Sequence, residues 1–203
     1  MEVIIDSEEV KISNDQTPSF TKCCEVIMEM LISKDRSIAL CKINGQAVNT
    51  LAEADSLFTP DCSMEVETVS VLKALEEAVK VKCQELHGAE DACEQLVTDS
   101  LLEEPEELVR QWQNLCGQLK EQVGFIPKLG PLLTEEQINM LIEVKLEELN
   151  AVMKDTQKAL SKADVVAFSD ILELRLSAWI ISFREFLETQ CKMVETLAKE
   201  KCK

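Results

Sequence analysis

From Ser161 onward, apolar residues recur every three or four positions: Val165, Phe168, Leu172, Leu176, Trp179, Phe183, Phe186, then Gln190, Met193 and Leu197. That spacing predicts a helix of roughly ten turns with no Pro or Gly inside it. Upstream, Leu72, Leu75, Val79, Lys82 or Cys83, Leu86, Ala89, Cys93, Leu96, and Ser100 or Leu101 form a second stripe. It keeps its phase across Gly88 and predicts one continuous helix with a weak point there, because Gly is a poor helix former. Leu108, Trp112, Leu115, Leu119, Gln122 or Val123, and Ile126 follow Glu103-Glu104-Pro105-Glu106-Glu107. Pro suits a first helical turn and the acids suit its positive end. Ile138, Leu141, Ile142, Leu149, Val152, Met153 and Leu160 form a fourth stripe, opened by the capping box Thr134-Glu135-Glu136-Gln137. Ser161-Lys162-Ala163-Asp164 resembles a second capping box and predicts the final helix's start at Ser161. Short connections between long helices favour antiparallel neighbours, so residues 71–203 are expected to form an antiparallel bundle of about four helices.

Before Ser70 the period is two. Val3-Ile4-Ile5 and Val10-Lys11-Ile12 predict a hairpin around Asp6-Ser7-Glu8-Glu9, with Asn14-Asp15-Gln16 as the exit loop. Thr17-Pro18 predicts a helix start, and Phe20, Cys23 or Cys24, Ile27, Met28, Leu31 and Ile32 its apolar face. Ser37 to Ile43 reads as a strand. Asn44-Gly45 is a strong two-residue turn signal, because both residues tolerate positive φ, and Gln46-Ala47-Val48 is the return. Leu51 to Thr59 reads as a loop or helical turn, and Met64 to Val69 as a last strand. The order β-β-α-β-β-β over residues 1–70 resembles the ubiquitin-like β-grasp arrangement, a small mixed sheet curled over one helix. The resemblance implies a docking module. The sulfur-carrier members of that superfold end in a free Gly-Gly, whereas here Val69-Ser70-Val71 runs on, so that chemistry is not expected. The expected class is therefore α+β, a β-grasp-like domain at 1–70 followed by a helical domain at 71–203.

Composition narrows the function more than it names it. The chain has 203 residues, 46% of them hydrophobic but only 4% aromatic, so its core must be mostly aliphatic side chains and Cys. Gly and Pro number five each, too few for many sharp loops, which favours long helices. The net charge is −17, split as −8 over residues 1–70 and −9 over 71–203. Without clustered Lys and Arg there is nothing to displace phosphate counterions, so neither nucleic acid nor an anionic membrane is an expected partner. The first residues do not read as a signal peptide, and no apolar run approaches the ~20 residues of a membrane span. A cytoplasmic protein is expected.

Chemistry-bearing motifs are scarce. The nine Cys (23, 24, 41, 62, 83, 93, 116, 191 and 202) include no Cys-x-x-Cys, and His87 is the sole His. Metal sites usually draw on tight ligand pairs, and a di-iron bundle needs Glu-x-x-His, whereas Gln84 precedes His87 by three. A Cys–His nucleophile pair would have to combine His87 with Cys83, one turn earlier, or with a Cys elsewhere. Neither Gly-x-x-x-x-Gly-Lys nor Gly-x-Gly-x-x-Gly occurs, so no cofactor is expected. Asp164, Asp170 and Glu173 suit the positive end of the last helix, and the pair Glu147-Glu148 is ordinary among 38 acids. A non-enzymatic interaction module, adaptor or chaperone-like, is the expected function, with a protein partner or self-association as a possible homodimer. The last helix outruns the 105–124 helix, so Gln190, Met193 and Leu197 are the candidate partner-binding residues. Gln190, polar at a core-type position, could fix helix register. The alternatives are a thiol- or metal-responsive protein, and an enzyme with a pocket near the unusually apolar loop 124–133.

Overall fold

The computed structural model describes residues 2–12, 19–59, 61–100 and 105–201. The chain divides into two compact units, residues 1–74 and 75–203. Its class is α+β: a five-stranded mixed sheet, then a helical C-terminal region.

In the first unit, β1 (Glu2–Ile5) and β2 (Glu8–Val10) are antiparallel, pairing Val3 with Val10 and Ile5 with Glu8. The turn is tighter than expected. Asp6 and Ser7 have φ of 49° and 71°, the left-handed pair of a two-residue hairpin turn, so β2 starts at Glu8 and leaves Ile12 to the core outside the strand. The Asp6 carboxylate steadies this turn by accepting hydrogen bonds from the Thr68 backbone N–H at 2.8 Å and hydroxyl at 2.5 Å. Arg36 closes the network, donating to Asp6 at 3.1 Å and to the Thr68 hydroxyl at 2.7 Å. Helix α1 (Phe20–Ile32) is capped by Ser19, whose hydroxyl accepts from Lys22 N at 3.3 Å. The expected start at Thr17-Pro18 and the exit loop 14–16 lie outside the described residues. Phe20, Cys23, Ile27 and Leu31 are buried, while Ile32 points to solvent.

Strand β3 (Arg36–Ile43) turns through Asn44 and Gly45, with φ of 51° and 78°, into the short β4 (Gln46–Ala47). Helix α2 (Leu51–Leu57), left open as loop or turn by its sequence, carries a full capping box between Thr50 and Glu53. Strand β5 (Ser63–Ser70) lies centrally in the order β2-β1-β5-β3-β4, parallel to β1 and antiparallel to β3. Met64 and Val66 face the core with Val3, Cys41 and Ile43, and Glu65 and Glu67 face outward.

Helix α3 (Val71–Asp99) follows β5 directly and is unbroken at Gly88. Helix α4 (Pro105–Val123) ends in a short 3-10 turn, Ile126–Leu129. Phe125, Ile126 and Leu129 are buried there, so the apolar loop plugs the helical unit. Helix α5 (Glu135–Ser161) has the expected capping box, with Thr134 N donating to Gln137 at 2.9 Å. The last helix does not start at Ser161, which is the final residue of α5. Ala163 reverses the chain at φ 51°, and Asp164 caps α6 (Val165–Ile171) by accepting from Ala167 N at 3.0 Å. A π turn, Leu172–Leu176, joins α6 to α7 (Ser177–Lys201). The α3, α4, α5 and α6–α7 rods form the antiparallel bundle. Among the described residues no helix is long and apolar enough to cross a membrane.

Candidate interaction surface

The final helix buries Phe168, Leu172, Leu176, Trp179, Ile180, Phe183, Leu187, Gln190 and Val194. From Phe168 to Phe183 this is the expected stripe with Ile180 added, while the expected Val165 is exposed. Beyond Phe183, Leu187 and Val194 occupy the seam instead of Phe186 and Met193. At about 100° per residue from Phe183, positions 187, 190 and 194 stay within about 40° of the seam, whereas 186 and 193 lie roughly 60° and 80° off it. Met193 therefore flanks the seam, 43% exposed; Leu197, near the helix end, is 37% exposed, and Val165 at the other end is 36% exposed. Gln190 is 5% exposed and its Oε1 has no hydrogen-bond partner.

Polar contacts along the α3–α7 seam run antiparallel. Lys80, paired with Glu76 on its own helix, also reaches Glu195 at 3.7 Å. Arg184 lies 3.5 Å from Glu90 and 2.7 and 2.9 Å from the two His87 ring nitrogens. His87 is thus one wall of an arginine site. The Cys93 thiol donates to the Leu172 carbonyl at 3.5 Å, the first carbonyl of the π turn. Gln122 of α4 donates to Glu85 of α3 at 2.6 Å.

Helix α5 departs most from its stripe. Val109–Lys120 of α4 and Asn150–Ser161 of α5 line one groove between antiparallel helices. In that register α4 runs out at Val123 before it reaches residues 135–146 of α5, and the turn Ile126–Leu129 also packs against α5. Between Ile138 and Leu149 no residue is fully buried. Leu141, Ile142 and Leu146 are half-buried, and Met140 and Val144 are 62% and 43% exposed. The sequence offered one signal for this: α5 is 27 residues long and α4 is 19, so the shorter helix cannot cover the longer.

Five of the described thiols are held protonated. Burial pushes Cys23 and Cys83 up to about 11, and Cys24, Cys93 and Cys116 up to about 12, so little nucleophilic thiolate forms near neutral pH. The described Cys residues carry no disulfide, and no group of three or more His, Cys, Asp and Glu among the described residues is arranged to hold a metal ion. Asp170 lies in α6 and Glu173 in the π turn. No family model, curated protein or solved structure matches this chain.

Proposed function

We propose that the protein is a non-enzymatic, cytoplasmic interaction module, adaptor or chaperone-like, which engages a protein partner or a second copy of itself through apolar side chains on α5 and α7. The observation that carries this is the strip from Ile138 to Leu149, where an amphipathic helix lacks the cover its own unit provides elsewhere. An apolar face of this kind is what helix-in-groove recognition uses. Met193 and Leu197 add exposed apolar surface on α7. The first unit is proposed as a β-grasp module. Its central parallel pair β1–β5, the order β2-β1-β5-β3-β4 and the single long helix against the sheet support that placement.

The test combines light scattering with affinity capture. The unmodified chain should run as a dimer, or bring down a partner that survives moderate salt. Met140→Glu with Val144→Glu should abolish that association without lowering the melting temperature, because both side chains are already exposed. A strict monomer that captures nothing specific would end the proposal.

A further inference from the structure

The groove between α4 and α5 differs chemically from the rest of the molecule. It encloses about 750 Å³. The whole chain has 38 acidic residues against 21 Lys and Arg, yet none of the groove's lining residues is acidic. Lys120 and Lys154 both line it, and neither makes an ion pair among the described residues. Asp155, next to Lys154, is taken by Arg175 at 2.7 Å. With α4 and α5 antiparallel, Cys116, Gly117 and Lys120 of α4 lie at the level of Asn150, Met153 and Lys154 of α5, so both Lys residues belong to one half of the lining. The other half, with Val109, Trp112 and Leu160, carries no charge. The groove thus has a cationic end and an apolar end, and three helical turns make it roughly 16 Å long.

We infer that this groove binds an amphipathic anion, a long-chain carboxylate, with its head group between Lys120 and Lys154 and its chain along Met153, Trp112 and Leu160. Two cations gathered at one end suit a single compact head group met from both helices. An acidic helix would need cations spaced along the groove, and the Trp112 end offers none. Gly117 opens directly into the site, since a Cβ built there would meet nothing within 4 Å. The inference does not depend on the partner-binding proposal, which concerns the first half of α5 and exposed side chains of α7.

The experiment is calorimetric titration of the full chain with dodecanoate below its micelle concentration. Saturable binding is expected, weakening as salt screens the head-group contact. Lys120→Gln with Lys154→Gln should weaken it roughly three- to tenfold, as expected for two exposed charge contacts. Gly117→Leu should abolish it by filling the groove, and its melting temperature should hold or rise because Leu is the better helix former. A titration without saturation would overturn the inference. So would binding that ignores Gly117→Leu, equal binding of dodecyltrimethylammonium, or Gly117-dependent binding of a Glu-rich helical peptide where dodecanoate fails.

Discussion

Gln190 occupies a core position with an oxygen that accepts no hydrogen bond. An unmet buried acceptor loses its water without replacement, which costs about 1–3 kcal/mol. Met has nearly the same length and shape and no polar atom to desolvate. Gln190→Met should therefore raise unfolding stability by about 1–2 kcal/mol, read as a higher urea midpoint at unchanged slope. A lower midpoint would mean that Oε1 is satisfied in solution and holds the seam. Asp6 presents the opposite case, a carboxylate with both oxygens hydrogen-bonded. Hydrogen bonds from the Thr68 hydroxyl and backbone, with Arg36 beside them, hold its carboxyl below the usual carboxylate range. The same bonds stabilise a left-handed backbone conformation that few side chains other than Asn, Asp and Gly accept.

At the scale of elements, regular periodicity was legible and irregular backbone was not. Asn44-Gly45 announces its turn because both residues accept positive φ, and Thr134 with Gln137 announces α5 because a capping box is a local pairing. Asp6-Ser7 was harder, since what holds it is Thr68, 62 positions away. The π turn, with its wider i→i+5 bonding, was not legible in the stripe. Phe168, Leu172 and Leu176 are two successive four-residue steps, but so are Leu115, Leu119 and Val123, all buried in the regular α4. The candidate surface was half legible: unequal helix lengths foretell an uncovered end, but only the α4–α5 register assigns it to α5. Gly88 raised the question whether α3 is one helix or two. It is one, and a Cβ at that position meets nothing within 4 Å. Gly88→Ala should then raise stability by about 1 kcal/mol, with increased helicity by circular dichroism. A loss of stability would show that the helix needs the freedom of Gly there.

For the whole molecule, two electrostatic effects oppose each other across the acid range. A net charge of −17 at pH 7 with a pI near 4.5 makes the folded chain repel itself increasingly as pH rises from the pI. Against this, Asp6, Glu85, Glu107 and Asp155 are all held below their ordinary values, chiefly by hydrogen bonds from Thr68, Lys82, Arg110 and Arg175 respectively. A carboxylate depressed in the folded state contributes stability that is fully present above its unfolded value. That contribution is lost as pH falls through the folded one, here below about 4. Loss of these carboxylate contacts below pH ~4 and build-up of repulsion from pH ~4.5 to 6, where the remaining carboxylates finish ionising, therefore bracket a maximum, and stability should peak at about pH 4.5–5 and level off above pH ~6. Buried thiols at about 11–12 stay protonated throughout this window. Thermal melts from pH 3 to 8 check this, run at low salt and at about 0.5 M NaCl, where the screening length falls to a few ångströms. Salt should flatten the descent from pH ~5 to 6 and raise the plateau above it, because both reflect long-range repulsion between exposed groups. The limb below pH 4 should persist, because it reflects short hydrogen-bonded contacts, and in Asp6→Asn it should become shallower. A melting temperature that climbs steadily to pH 8 at low salt would refute the opposition, since it would leave self-repulsion with no measurable part in stability.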